Sequence, residues 1–221
     1  MHVLGLDIGT QGARAIICNA EGKVMAQAAE SFADSSTNPL LSPGYAEQHP
    51  ALWWDAAALC LHKVVDELHV QGFAADTIVA ISVDSTSGTI VPLDSAGSAL
   101  RPAIMYNDTR AVDEAEECNL SGSDLTEKLG YKFASSFALP KILWVMKNEP
   151  QIFEQTACFA HAADYIVGKL TTNFRISDTS NALKTGYDLI ENKWPEFISA
   201  KLFIPNDKLP QVVNPGFLRA D

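Results

Sequence analysis

The segment Val3-Leu-Gly-Leu-Asp7-Ile-Gly9-Thr10-Gln11-Gly12-Ala-Arg14-Ala-Ile-Ile17 sets two apolar runs around a short polar corner. The chemistry open to such a corner is anion binding. Consecutive backbone N–H groups at a tight turn form a nest for phosphate oxygens. Thr10 and Gln11 add a hydroxyl and an amide, while Gly9 and Gly12 allow a sharp turn and a close approach to a ligand. Asp7, at the end of the first apolar run, supplies a carboxylate for the divalent metal that accompanies phosphates. The spacing Asp-x-Gly-Thr-x-Gly is neither a Walker A loop nor a Gly-x-Gly-x-x-Gly fingerprint. An ordinary hairpin closed by an Asp-Gly turn is the plainer alternative.

Asp84-Ser85-Thr86-Ser87-Gly88-Thr89 is a second constellation. It follows an apolar run, and ligands of open α/β sheets gather beyond the carboxyl ends of strands. Its carboxylate and hydroxyls suit a polyhydroxylated ligand, each of whose buried hydroxyls needs a partner. A hydroxyl-rich turn between strands is the alternative. A third is Pro102-Ala-Ile-Met-Tyr-Asn107-Asp108-Thr-Arg110. Asn107 and Asp108 are candidates for sugar hydroxyls, against simple helix capping by Asn107, Asp108 or Thr109. The polar, then half-apolar segment Ser177–Asp188 carries no evident base and reads as a loop and a short strand.

The elements that position these groups follow from periodicity. Residues 2–8, 12–18 and 23–30 read as three strands joined by tight turns. Residues 33–48, with Pro39, Pro43 and Gly44, read as a loop. Pro50 opens a helix to about Leu68, whose apolar face includes Leu52, Trp53, Ala56, Cys60, Val64 and Leu68. His62 and His69 on it read as solvated or packed rather than metal-binding. Thr77–Asp84 is a near-continuous apolar run, which predicts a central buried strand. Thr89–Asp94 is the following strand. Helices are expected near 109–118, 124–130, 138–148 and 162–170, with a short one from Pro195.

The chain has 221 residues, 47% hydrophobic and 19% charged, a globular balance. Its net charge of −11 argues against duplex nucleic acid or an anionic membrane as partner. Four cysteines (Cys18, Cys60, Cys118 and Cys158) form no Cys-x-x-Cys pair, as expected of reduced, mostly buried thiols in a cytoplasmic protein. Asp7 interrupts the first apolar run too early for a signal peptide. No stretch reaches the ~18 apolar residues of a membrane span. The sequence shows no internal repeat, and a homodimer is left open.

The opening corner resembles the first phosphate loop of the actin, sugar kinase and heat-shock ATPase superfamily. Taken with Tyr45-Ala-Glu-Gln48 before Trp53-Trp54, Ile81–Thr89, Pro102–Arg110, Pro140-Lys141-Ile-Leu-Trp144 and Ala163-Asp164-Tyr165, the chain resembles the amino-terminal domain of the FGGY carbohydrate kinases over nearly its whole length. Asp84–Thr89 and the run from Ser177 to Tyr187 are most similar to pentulose kinases of the D-ribulokinase and xylulokinase type.

The resemblance implies an α/β, ribonuclease H-like mixed sheet with flanking helices. It implies ATP- and Mg2+-dependent phosphoryl transfer to a sugar hydroxyl, that of a ketopentose such as D-ribulose or D-xylulose. By the same match, Asp7 helps hold the metal and phosphates. Gly9, Thr10, Gln11 and Gly12 form the phosphate corner, Thr10 being counted with Asp7 and Arg14 as catalytic, and Arg14 stands near the transferring group. Thr86 and Ser87 meet the sugar, with Asp84 beside them and Gly88, Asn107 and Asp108 in the same substrate set.

Two departures from the family pattern stand out. Gln11 occupies a position where many relatives carry Ser or Thr. Family members are also roughly twice as long, and their general-base aspartate and adenosine-binding domain follow a linker. Residues 1–215 are therefore expected to be the sugar-binding domain and 216–221 the start of that linker, with the carboxy-terminal kinase domain as partner. Asp221 is not assigned the role of base. The isolated chain is expected to lack turnover. Rival readings are an actin- or chaperone-like ATP module, a ribonuclease H-like nuclease and a non-catalytic sugar-binding domain.

Overall fold

A computed structural model describes residues 1–32 and 41–217. The chain folds as two compact units and passes from the first to the second for the last time between Thr86 and Ser87.

The first unit is built on a four-stranded sheet. Strands β1 (His2–Ile8), β2 (Gly12–Asn19) and β3 (Val24–Ser31) run antiparallel as an up-and-down meander. Helix α1 (Pro50–Val70) then leads to β5 (Ile78–Ser85), which pairs parallel with β1 and gives the order β3-β2-β1-β5. Three antiparallel strands, a helix and a parallel strand make the ribonuclease H-like arrangement expected from the sequence. Alternation explains the packing. Leu4, Leu6 and Ile8 of β1 and Ala13, Ala15 and Ile17 of β2 are buried, as are Trp53, Ala56, Ala57, Cys60, Val64 and Leu68 of α1. Pro50 occupies the first turn of α1, and the His49 Nδ1 accepts from the Ala51 N–H at 3.3 Å. Leu52 is only partly buried, and His62 and His69 are exposed.

The apolar run before Asp84 is not a central strand. Among the described residues β5 stands at the edge of its sheet, and its Val79 and Ile81 are exposed. Helix α1 packs mainly on β2 and β3, and among the described residues β5 pairs with β1 alone. A continuous apolar run signals two covered faces only when neighbours cover them.

The second unit has its own sheet, in the order β4-β7-β6-β8: Glu47–Gln48, Ala103–Ile104, Ile90–Leu93 and Cys158–His161. The strand expected at Thr89–Asp94 therefore belongs here and not to the first sheet. Helices α2 (Val112–Ser121), α3 (Ser123–Leu129), α4 (Ala138–Asn148), α5 (Pro150–Gln155) and α6 (Ala162–Thr171) follow. Their core joins Ile104, Cys118, Phe133, Leu139, Ile142, Phe159 and Ile198.

Ser177–Asp188 reverses the expected order. A short strand, β9 (Ile176–Asp178), is followed by the helical turn α7 (Thr179–Ala182), because the Asp178 carboxylate accepts from the Ser180 and Asn181 N–H groups. A short helix α8 (Glu196–Ala200) has Pro195 as its cap, and β10 (Gln211–Val213) pairs with β9. Cys60, Cys118 and Cys158 are buried, Cys18 is partly so, and all four are free thiols. Of the expected loop 33–48, residues 33–40 lie outside the described residues, as do residues 218–221 of the expected linker. No helix among the described residues is long and apolar enough to cross a membrane.

Candidate functional site

In the first unit the polar corner is the β1–β2 turn. The Gly9 N–H donates to the Gly12 carbonyl at 2.9 Å, and the Phe32 N–H donates to the Gln11 carbonyl at 2.9 Å. A side chain at Gly12 would collide with the Glu30 carbonyl, so that glycine serves the close approach of β3 rather than of a ligand. At Gly9 an added Cβ would meet only ordinary contacts, to the Gly12 carbonyl and the Arg14 guanidinium. Gln11 is exposed and Thr10 partly so.

Register places the charged groups. Asp7 lies opposite Arg14 on β2 and opposite Asp84 on β5, which makes a row Arg14–Asp7–Asp84 across three strands. Alternation puts this row on the sheet face away from Leu6 and Ile8. The Arg14 guanidinium donates to the Asp7 carboxylate at 3.1 Å, with both side chains substantially exposed. Such a surface pair adds little stability, so its value lies in the charge it presents. The row lines a cavity of about 700 Å³ with Gly5, Ile16 and Ser82. Asp84, expected beside the sugar, is thus also the neighbour of Asp7.

No cluster of three or more potential metal ligands occurs among the described residues. Two adjacent carboxylates still fit Mg2+, which keeps most of its waters and takes one or two carboxylates together with substrate phosphates. The turn N–H groups and Arg14 suit the phosphate chain of a nucleotide.

The remaining candidates lie in the second unit, Thr86 being the last of the first. Ser87 is exposed and Gly88 buried. Gly88 has φ +86°, and a Cβ there would strike the Ser136 carbonyl, so only glycine fits. The Gly88 carbonyl accepts from the Lys141 ammonium at 3.0 Å. The Thr89 hydroxyl oxygen, fully buried, accepts from the Tyr106 N–H at 3.1 Å. Ser87 is therefore presented by a turn whose next two residues are both tied down.

Asn107 is exposed and open to a ligand, whereas Asp108 is 1% exposed. Its carboxylate accepts from the Ala46 N–H at 2.6 Å, the Arg110 N–H and Nε at 2.9 Å each, and the Arg110 Nη2 at 2.7 Å. Both oxygens are thereby occupied, so a sugar contact by Asp108 gives way to an architectural role, clamping Arg110 and the chain before β4. Arg110 also pairs with Glu47 at 2.7 Å and stacks 3.9 Å from the Tyr45 ring centroid. Burial opposes its charge, but Asp108 and then Glu47 outweigh that, and the guanidinium is held above its ordinary pKa. Helix capping by residues 107–109 is not realised either, since α2 starts at Val112 with Ala111 as its cap.

Sequence patterns alone gave Lys141 and Arg110 no role of their own within the longer motifs that hold them. A signal was present for Lys141: a single lysine within the apolar run Ala138-Leu-Pro-Lys-Ile-Leu-Trp-Val145. Burial draws its amine down from 10.5 to about 7, with Asp108 opposing and Lys184 and Arg110 adding to the fall.

Known proteins share this architecture. Residues 2–216 match the profile of the FGGY family of carbohydrate kinases, N-terminal domain. The chain is 31% identical over 211 residues to the xylulose kinase of Escherichia coli (strain K12), covering 94% of this chain and 41% of that protein. It is 26% identical over 238 residues to the ribulokinase of Shouchella clausii, covering 97% and 40%. Among solved structures, that of a xyloylose kinase from Brucella ovis superposes with a TM-score of 0.86 at 29% identity, over 96% of this chain and 42% of that one. The fold is thus that of the actin and sugar kinase superfamily. The chain spans about two fifths of the length of the relatives it matches.

Proposed function

Because this chain belongs to the FGGY family of carbohydrate kinases, we propose that it is the sugar-binding domain of an ATP-dependent kinase acting on a hydroxyl of a ketopentose, D-xylulose or D-ribulose. In this reading residues 1–215 form the domain, and 216–221 lead into a nucleotide-binding domain that supplies the general base and the adenosine pocket. The observation that carries the proposal is the Arg14–Asp7–Asp84 row beside the Gly9–Gly12 turn. The names of the relatives, xylulose kinase and ribulokinase, support the choice of sugar.

Mg2+ and ATP, where bound, supply charge neutralisation and the transferable phosphoryl group. Asp7 and Asp84 would hold the hydrated metal. With the Gly9 N–H spent on the Gly12 carbonyl, the N–H groups of Thr10 and Gln11 would orient the phosphate oxygens, and Arg14 would stabilise the charge that develops on the moving group. Phosphoryl transfer depends mostly on such positioning and electrostatics. Ser87 and Asn107, both in the second unit, would orient the sugar hydroxyls.

The test is a coupled ADP-release assay on the full-length gene product, with ketopentoses, hexuloses and polyols. Turnover that requires a ketopentose and is absent in Asp7→Ala supports the proposal. Sugar-independent ATP hydrolysis would instead favour the actin- or chaperone-like reading. Residues 1–221 alone are expected to give no turnover in the same assay.

A further inference from the structure

A lysine is almost never fully buried without a carboxylate partner. Lys141 is 0% exposed, no other lysine among the described residues is buried, and it enters no ion pair among them. Its ammonium donates instead to two backbone carbonyls, that of Gly88 at 3.0 Å and that of Phe137 at 3.4 Å. Phe137 is the cap of α4, on which Lys141 itself lies. The side chain therefore bridges the start of α4 to the turn that presents Ser87.

A core built only for stability would place a methionine here. It has nearly the same reach and no charge to desolvate. The turn gives the amine a use, as a donor to the Gly88 carbonyl. Gly88 is held in the left-handed region and packs against the Ser136 carbonyl, where no side chain fits. Thr89 is fixed separately by Tyr106. Lys141 supplies the remaining tie, at the peptide immediately after Ser87–Gly88.

We propose that Lys141 is a positioning residue for the sugar, holding the Ser87–Gly88 turn in its ligand-receiving arrangement through the Gly88 carbonyl. This rests on the assignment of Ser87 to sugar binding made above. The charged groups bearing on Lys141 are Asp108 and Arg110 from the loop after β7 and Lys184 from the 183–185 turn.

The test compares Lys141→Met and Ser87→Ala in the full-length gene product by two measurements. The first is calorimetric Kd for D-xylulose and D-ribulose, with a non-hydrolysable ATP analogue as the second ligand. The second is hydrogen exchange of the amides at residues 88–90, with those of α4 as reference. Lys141→Met is expected to weaken sugar binding at least 10-fold, leave nucleotide Kd within 2-fold and speed exchange at 88–90 at least 10-fold relative to α4. Unchanged sugar Kd in Lys141→Met beside a weakened Ser87→Ala overturns the positioning role while sparing the sugar site. Unchanged exchange at 88–90 shows that Lys141 does not hold the turn and overturns it equally. Faster exchange with sugar Kd unchanged in both variants removes Ser87 from the sugar site, and the inference falls with it.

Discussion

Replacing Lys141 by methionine should also change how stability responds to pH. In the unfolded chain this amine keeps its proton up to 10.5, whereas burial in the folded protein brings it down to about 7. Between these limits the unfolded state binds more protons than the folded one, so this residue makes stability rise with pH. Below about pH 7 both states are protonated and its cost is fully present; above 10.5 the cost is gone. At about 1.4 kcal/mol per pH unit the whole span is worth about 5 kcal/mol. From about pH 7 to about pH 9 the contribution is about 2 kcal/mol, because the folded amine is already half deprotonated at the start.

Urea denaturation of wild type and Lys141→Met at pH 7, 8 and 9, followed by tryptophan fluorescence, would measure it. The wild type should gain about 2 kcal/mol relative to the variant between pH 7 and pH 9. Taking the difference removes the other titrating groups, including the buried Cys118 and Cys158 thiols, which burial pushes upward. Parallel pH curves for the two proteins would show that the buried amine keeps its ordinary affinity for protons and that burial does not disfavour its charge.

Three other substitutions probe separate parts of the site. Asp7→Ala should abolish phosphoryl transfer while keeping sugar affinity within a few fold, as read from coupled kinetics and calorimetry; retained turnover would remove Asp7 from the metal site. Ser87→Ala should raise the sugar KM with little change for ATP, and a rise confined to ATP would place Ser87 in the other pocket. Asp108→Ala should destabilise the fold by about 3–5 kcal/mol, since it leaves the buried Arg110 guanidinium without its bidentate partner. A loss below about 1 kcal/mol in denaturant melts would show that Glu47 alone satisfies Arg110.

The strands around the corner were legible because alternation and turn residues mark a meander locally. The row Arg14–Asp7–Asp84 was only half legible. A hairpin pairs Asp7 with Arg14 by counting back from the turn, but the pairing of β1 with β5 spans a long connection whose register no local pattern records. Asp108 misled for a related reason. An aspartate two residues before an arginine in a polar stretch looks available to a ligand. Its burial depends on Ala46 and Glu47, about sixty residues earlier in the chain. Lys141 was overlooked because periodicity counts apolar positions and passes over a charge among them, although that exception carried the information. The edge position of β5 was hidden because hydrophobicity reports what can be buried and not what covers it.

In the proposed kinase, the turn after Asp7 receives the phosphates of ATP. The decisive measurement is a crystal structure of the full-length gene product with Mg2+ and a non-hydrolysable ATP analogue. Terminal phosphate oxygens should lie within hydrogen-bond distance of the Thr10 and Gln11 N–H groups, with Asp7 facing the metal. A phosphate chain bound elsewhere, with residues 7–14 free of ligand, would contradict it.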